Sequence, residues 1–238
     1  MPTLINDPRV LAVTVRPRRE PLVPVADLGV RTTSTGVGGL VRRGVAERLA
    51  HADRALPAGV HLLVVEGYRT LAAQHAIIAD YRATLAALHP GVTPGELDDL
   101  VSRFVAPAQA APHVAGAAVD CTLVDDDGDQ LWMGTAIDDT PEQSGGRCFT
   151  GSPDIDDEAR ANRALMASVL EPVGMVNYET EWWHWSHGDR YWAHRTGAAA
   201  ARYAAVPEAS DAARSRAVPE GACAAVRSAG AVNPRVVA

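Results

Sequence analysis

The chain contains no lysine, and arginine supplies all 22 of its basic residues. Asp and Glu together number 29, so the formal net charge is -7 at pH 7. A surplus of negative charge disfavours non-specific binding to nucleic acid, which depends on clustered cationic side chains. We therefore expect no nucleic-acid partner.

Cysteine and long apolar runs are also scarce. The chain has three cysteines, and their odd number and wide spacing argue against a disulfide framework and against a Cys-based zinc site. No apolar run approaches the roughly 20 residues of a membrane-spanning helix. The first 20 residues lack the basic, apolar and small-residue order of a signal peptide. These absences predict a cytoplasmic location with no membrane contact.

What is present suits a globular fold. The chain has 238 residues, 47% of them hydrophobic, which is enough for one sizeable core. Helices and short strands are mixed without regular βαβ alternation, which predicts an α+β fold: a single domain with a small, mostly antiparallel sheet flanked by helices. We expect this domain to span 1–206, with an extended arm at 1–20, and a disordered tail at 207–238.

Hydrophobic periodicity and breaker residues place the individual elements. The predicted helices span about 35–56, 70–88, 94–104, 156–170 and 189–205. The predicted strands span about 60–65, 114–124, 131–133, 175–178 and 182–186.

A His and an Asp lie at either end of a short segment of small residues. His113 and Asp120 are seven positions apart, and Asp120 falls within the predicted strand 114–124. Imidazole nitrogen and carboxylate oxygen both suit zinc. On spacing alone, the commoner explanation is a surface or hydrogen-bonded pair.

A second segment, Glu181–Trp185, is dense in tryptophan. A Glu three residues before a His can place a general base beside a metal ligand. On a regular strand, however, residues three apart face opposite ways. A turn or bulge near Glu181 is therefore needed to bring Glu181 and His184 into one site. The alternative is a core strand with a solvated Glu and a packed His.

Taken together, the two segments supply a complete catalytic set. His113, Asp120 and His184 provide the three protein ligands of a catalytic zinc site, and Glu181 remains as the base. Arg69, in a turn after a predicted strand, is a candidate for the fixed cation that stabilises charge on a carbonyl oxygen. Its alternative role is pairing with a surface carboxylate. The set predicts metal-assisted hydrolysis with one Zn²⁺ per chain.

Five segments, spread in order over about 20–205, match motifs of a known family. They are Glu66–Arg69, His113–Asp120, Met133–Asp138, Asn162–Arg163 and Glu181–Ala193. Through them the sequence resembles the zinc D,D-peptidase family that includes the D-alanyl-D-alanine dipeptidases of the vancomycin-resistance type.

The resemblance implies a role for each matching residue. It implies zinc bound by His113, Asp120 and His184, with Glu181 as general base and Arg69 stabilising the transition state. It also implies that Asp138 binds the free amino group of a small dipeptide substrate. Self-association is compatible with the family.

Two positions depart from the family pattern. Pro112 stands where the type member has a Ser that contacts the substrate carboxylate, and proline has neither a hydroxyl nor a backbone N–H. Val30 stands where a Tyr is expected to contact the substrate. The catalytic set is therefore intact, while part of the substrate-recognition set differs.

The predicted function is hydrolysis of D-Ala-D-Ala or a related free dipeptide. One alternative is a carboxypeptidase or endopeptidase that acts on peptidoglycan-derived peptides with the same zinc chemistry. Another is a zinc-containing binding protein without catalysis, which the presence of Glu181 disfavours. Antibiotic resistance, self-protection and recycling of cell-wall peptides all fit the predicted reaction.

Overall fold

Side-chain caps set the start of the two longest helices. A computed structural model describes residues 2–207 of the chain. In it, Thr70 accepts a hydrogen bond from the backbone N–H of Ala73, and Asp156 accepts one from Ala159. Such caps satisfy N–H groups that have no partner within the helix. Both helices begin where the sequence predicts, while the predicted disordered tail lies outside the described residues except for Pro207.

The helices and strands alternate irregularly along the chain. The helices are α1 Pro8–Leu11, α2 Arg43–Ala55, α3 Leu71–Leu88, α4 Pro94–Ser102, α5 Pro141–Ser144, α6 Asp157–Leu170 and α7 Arg190–Thr196. The strands are β1 Leu22–Pro24, β2 Arg31–Thr32, β3 Leu40–Arg42, β4 Val60–Glu66, β5 Ala118–Asp125, β6 Val176–Asn177 and β7 His184–Ser186. Short 3₁₀ turns occupy Val25–Leu28, Gly36–Gly39 and His113–Ala115.

The main sheet has five strands in the order β2-β4-β5-β7-β6. β2 runs parallel to β4, and the other neighbours are antiparallel. β1 and β3 form a separate antiparallel pair. The predicted α+β class, with a mostly antiparallel sheet flanked by helices, is confirmed.

The helix predicted from residue 35 was placed too early. α2 begins only at Arg43, because Leu40 and Val41 belong to β3, where Val41 pairs with Val23 of β1. Leu40 and Val41 fit a helical spacing, but the backbone of β1 gives them a better partner. The predicted arm at 1–20 is likewise not extended throughout, since it contains α1.

The returning strand predicted at 131–133 is also absent. The hairpin closes with a single bridge between Val124 and Gln130, formed by the hydrogen bonds from Leu131 to Leu123 and from Asp125 to Asp129. Beyond it, Trp132 turns outward and the carbonyl of Met133 accepts a hydrogen bond from Arg163. At Met133 the backbone therefore contacts Arg163 of α6 and does not pair with β5.

The core lies between the sheet and the pair α2 and α6. Apolar side chains of β4 and β5 that alternate along each strand face these helices, among them Val64, Val119 and Cys121. The tryptophans of the segment after β6 complete this core. The alternate residues of β5 therefore face the opposite side of the sheet, where Asp120 lies.

Contacts group Met1–Val206 into one compact unit. None of its helices between residues 2 and 207 combines the length and the apolar character that crossing a membrane requires.

Candidate active site

A row of polar residues crosses the middle of the main sheet. Asp120 of β5 lies directly opposite Glu66 of β4 on one side and His184 of β7 on the other. Residues directly opposite on antiparallel strands point to the same face. The three side chains therefore share one face of the sheet, the face away from α2 and α6.

A bulge in β4 places Glu66 in this row. Val64 pairs with Cys121 and Glu66 pairs with Asp120, so Val65 is an extra residue between two consecutive pairs. In a regular strand, Val64 and Glu66 would face the same side of the sheet, because they are two residues apart. The extra residue turns Glu66 away from the core and toward Asp120.

His113 reaches the row from the 3₁₀ turn before β5. Its Nδ1 lies 2.6 Å from the carbonyl oxygen of Gly67. A carbonyl can only accept, so Nδ1 carries the proton and Nε2 is free to act as a ligand. Gly67 must be glycine, because a Cβ there would lie 2.5 Å from the carbonyl oxygen of Leu40.

Three ligand atoms converge at the end of this row. Nε2 of His113 lies 3.1 Å from Nδ1 of His184, and the two imidazoles lie 3.3 and 3.1 Å from the two carboxylate oxygens of Asp120. Ligands held tetrahedrally at zinc–nitrogen distances are separated by about 3.3 Å. All three residues are buried. The donor types, the spacing and the His113 tautomer therefore fit a bound Zn²⁺.

A turn brings Glu181 to the same point. The N–H of Glu181 donates to Tyr178, and the N–H of His184 donates back to Glu181, so the chain between β6 and β7 is not a regular strand. As a result, Oε2 of Glu181 lies 3.7 Å from Nδ1 of His184. Asn177 holds this turn, because its side-chain amide donates to the carbonyls of Glu181, Trp182 and His184.

The electrostatic surroundings of Glu181 increase its affinity for a proton. Burial raises the pKa of Glu181 well above its usual range, and the charges of Asp120 and Asp138 raise it further. Asp120 behaves in the opposite way, since its contacts with His113 and His184 outweigh burial and lower its pKa. The site thus holds one ionised and one proton-accepting carboxyl group with distinct surroundings.

Arg69 is held on the rim of the site by two partners. Its Nε and one terminal nitrogen donate to the two carboxylate oxygens of Glu66, and its other terminal nitrogen donates to the side-chain oxygen of Gln74, 2.8 Å away. Burial opposes the charge of Arg69, but the Glu66 hydrogen bonds and the charges of Asp120 and Asp138 raise its pKa above the usual value. Arg69 is therefore a permanent cation.

Asp138 lies in the loop between β5 and α5, with a backbone φ of 67°. It is the sole residue other than glycine with a positive φ between residues 2 and 207. Such conformations cost energy and concentrate at functional sites. Desolvation of its carboxyl group, together with the negative charges of Asp120 and Glu66, raises the pKa of Asp138 to about 6.

Arg163 of α6 organises the loop that carries Asp138. Its guanidinium is buried and donates to the backbone carbonyls of Met133, Arg147, Phe149 and Thr150. These carbonyls lie on both sides of Asp138 along the chain. Arg163 therefore fixes the two ends of the loop without touching the metal ligands.

One cavity of about 290 Å³ collects all six residues predicted for the site. His113, Asp120, His184, Glu181, Arg69 and Asp138 line it, and Glu66 and Gln74 join them. The remainder of the wall is largely apolar and comes from α3, the segment after α4 and the N-terminal arm. Four carboxyl groups face one arginine and two imidazoles, a balance that favours a bound divalent cation.

Several positioning residues were not predicted from the sequence. Glu66 and Gln74 hold Arg69, Asn177 holds the Glu181 turn, and Arg163 holds the Asp138 loop. Glu66 and Arg163 do fall in segments that match the family motifs, which was the only signal for them. The contacts of Asn177 and Gln74 depend on the folded backbone.

Comparison with known proteins agrees with this geometry. Residues 31–203 match the model of a peptidase family described as D-ala-D-ala dipeptidase. The chain belongs to this family. The resemblance found in the sequence is thereby confirmed, and so is the predicted enzyme class.

Curated D-Ala-D-Ala dipeptidases are similar along much of the chain. The D-alanyl-D-alanine dipeptidase of Synechocystis sp. is 28% identical and aligns with 77% of this chain and 88% of its own length. The enzyme of the same name from Escherichia coli K12 is 35% identical over 30% of this chain and 35% of its own length. The D-alanyl-D-alanine dipeptidase of Enterococcus faecium is 28% identical and aligns with 59% of this chain and 69% of its own length.

Two solved structures are similar at lower identity. One is a mutant of the vancomycin resistance D,D-pentapeptidase VanY in complex with Zn(II), 21% identical, covering 79% of this chain and 94% of that one, with a TM-score of 0.38. The other is VanYB in complex with D-alanine-D-alanine. It is 19% identical and covers 79% of this chain and 93% of that one, also with a TM-score of 0.38.

Proposed function

We propose that the chain is a zinc-dependent dipeptidase that hydrolyses D-Ala-D-Ala or a close relative, with residues 1–206 as its catalytic domain. The observation that carries the proposal is the convergence of His113, Asp120 and His184, whose ligand atoms lie within 4.8 Å of one another in a cavity that Glu181 and Arg69 also line. The three residues hold one Zn²⁺ per chain. Zinc in such a site supplies Lewis acidity, which polarises a carbonyl and lowers the pKa of water.

Glu181 is the general base in this proposal. Its carboxylate lines the cavity beside His184, which supports a role for Oε2 as the acceptor of a proton from the attacking water. Burial raises its pKa, which makes the carboxylate a stronger proton acceptor than an exposed Glu. Glu181 then returns the proton to the nitrogen of the leaving D-alanine.

Arg69 stabilises the negative charge that develops on the scissile carbonyl oxygen. It is the only cationic side chain among the residues that line the cavity, apart from the imidazoles. Glu66 and Gln74 fix its orientation before substrate binds, so no reorganisation is needed during the reaction.

Asp138 selects substrates with a free amino end. Its carboxylate lines the cavity next to the proposed metal site, and an ammonium group would form a charge-assisted hydrogen bond with it. An amino-blocked peptide would leave this carboxylate without a partner, which costs affinity. This selection distinguishes the dipeptidase from a carboxypeptidase that accepts longer peptides.

The test begins with removal of the metal. The purified chain is stripped with a chelator, its zinc content is measured, and zinc is added back in steps while D-Ala-D-Ala hydrolysis is followed. We expect activity to rise until one zinc per chain is present, with L-Ala-L-Ala and N-acetyl-D-Ala-D-Ala cleaved poorly. Activity that persists after verified loss of metal would overturn the proposal. Equal cleavage of the N-acetylated peptide would favour the carboxypeptidase alternative.

A further inference from the structure

Gln74 stands out among the residues of α3. Most side chains of this helix are exposed, yet Gln74 is only 1% exposed. A buried amide is costly unless both of its ends are hydrogen-bonded. Both ends of Gln74 have partners, and one of them is the cation of the proposed active site.

The two hydrogen bonds of Gln74 fix the orientation of its amide. Arg69 can only donate and a backbone carbonyl can only accept. The side-chain oxygen of Gln74 therefore accepts from Arg69 at 2.8 Å, and its nitrogen donates to the carbonyl of Ala106 at 2.9 Å. Gln74 thus links Arg69 to the segment after α4, which forms part of the cavity wall.

Glu66 and Gln74 are hydrogen-bonded to different edges of the Arg69 guanidinium. Glu66 accepts hydrogen bonds from Nε and one terminal nitrogen of Arg69, while Gln74 accepts one from the other terminal nitrogen. Together they use three of the five N–H groups of Arg69. Two N–H groups remain for a substrate oxygen as far as the described residues are concerned.

A neutral partner suits the second edge. Glu66 already supplies one negative charge to Arg69, and a second carboxylate would weaken the attraction between Arg69 and an oxygen that becomes negative. An amide supplies the geometric constraint without further charge. We infer that Gln74 is a positioning residue, which holds Arg69 in the orientation that stabilises the transition state. The inference rests on the proposed function.

The test is a double-mutant cycle between Gln74 and Arg69, measured on the zinc-loaded full chain with D-Ala-D-Ala. Gln74→Met keeps the unbranched shape and removes both hydrogen bonds. We expect kcat to fall about 10-fold with KM nearly unchanged, because a misplaced catalytic group affects the transition state more than the bound substrate. In the Arg69→Ala background the same change should alter kcat by less than about 3-fold, since its target is already gone.

A matched comparison separates positioning from simple loosening of α3. Leu85→Ala removes another buried side chain of the same helix, which belongs to a hydrophobic cluster with Leu97 and Val101 and is not among the residues that line the cavity. We expect this variant to lose stability, by about 2 to 5 kcal/mol, but to keep kcat. Gln74→Leu serves as a second variant if Gln74→Met does not fold.

The outcomes distinguish the inference from the function on which it rests. An equal loss of kcat in both backgrounds, or no loss in the wild-type background, would overturn the role of Gln74. A wild-type kcat in Arg69→Ala would instead overturn the proposed role of Arg69, and the inference with it. If the zinc-loaded wild-type chain cleaves no dipeptide, the proposed function itself fails.

Discussion

Asp120 and His184 lie directly opposite each other on β5 and β7, and Oδ1 of Asp120 is 3.1 Å from Nδ1 of His184. The pairing of two strands therefore sets the distance between two proposed zinc ligands. Strand register is among the most firmly specified features of a sheet with a buried face. Strand pairing thus fixes two of the three proposed ligands.

This relationship makes the charge of Asp120 testable. Asp120→Asn keeps the shape and the register but removes the negative charge, so we expect zinc affinity to fall at least about 100-fold, beyond the usual range for outer-shell partners. Competition with a chromophoric chelator measures the affinity. Asp126→Asn, the same change at an exposed position, should leave it unchanged. Equal affinities for wild type and Asp120→Asn would rule Asp120 out as a ligand.

Gly67 offers a test of how His113 is oriented. An added Cβ would collide with the backbone of Leu40, so Gly67→Ala must shift the carbonyl that holds Nδ1 of His113. We expect zinc affinity to fall about 10- to 100-fold, as for other changes in groups that orient a ligand. Gly95→Ala, where a Cβ meets no atom within 4 Å, is the control and should retain full affinity. A normal affinity in Gly67→Ala would contradict this account of His113.

Asp138 predicts an acid limb in the pH profile. Its pKa of about 6 means that the carboxylate is charged above that pH and neutral below it. Only the charged form binds an ammonium group well, so kcat/KM for D-Ala-D-Ala should decline as pH falls through about 6. Asp138→Asn should lose the preference for D-Ala-D-Ala over its N-acetyl derivative, while an acid limb from the titration of Glu181 remains. A variant that keeps the preference would show that another group recognises the amino end.

The same pKa has a consequence for stability. A carboxyl whose pKa is higher in the folded than in the unfolded state favours folding at low pH, and that contribution is lost as pH rises through about 6. In the metal-free protein, Asp138→Asn should therefore have a higher Tm than wild type at pH 8, and the difference should shrink toward pH 4. A thermal melt at both pH values checks the sign.

Pro112 predicts weak recognition of the substrate's carboxylate. It lines the cavity beside His113, where it offers no hydrogen-bond donor. We expect the amide of D-Ala-D-Ala to be cleaved with a KM within about 3-fold of that of the free acid. Pro112→Ser fits the local backbone, with φ near -63°, and should lower the KM of the free acid about 10-fold, as expected for a hydrogen bond to a charged group. A strong preference of the wild type for the free acid would assign carboxylate recognition to another residue.

Much of the site could be predicted because the types of its residues indicate their chemistry. Two imidazoles, three carboxyls and an arginine in family order pointed to one site, and all six line one cavity. The requirement for a turn at Glu181 also followed from strand geometry alone, and the chain between β6 and β7 does turn there.

The parts that could not be predicted depend on contacts between distant segments. Leu40 and Val41 have the spacing of a helix, and only the presence of β1 makes them a strand. The bulge at Val65 appears only when β4 is set against β5. Asn177 and Gln74 are ordinary polar residues in the sequence, and their roles come from carbonyls and a guanidinium that folding places beside them.

The central claim is that Glu181 acts as a base beside a zinc ion that it does not hold. The most direct measurement compares Glu181→Gln with wild type for both zinc content and the initial rate of D-Ala-D-Ala hydrolysis. We expect one zinc per chain in both proteins and a rate lower by about 100- to 10,000-fold in the variant, the range typical of a lost general base. A zinc-loaded Glu181→Gln protein with the wild-type rate would contradict it.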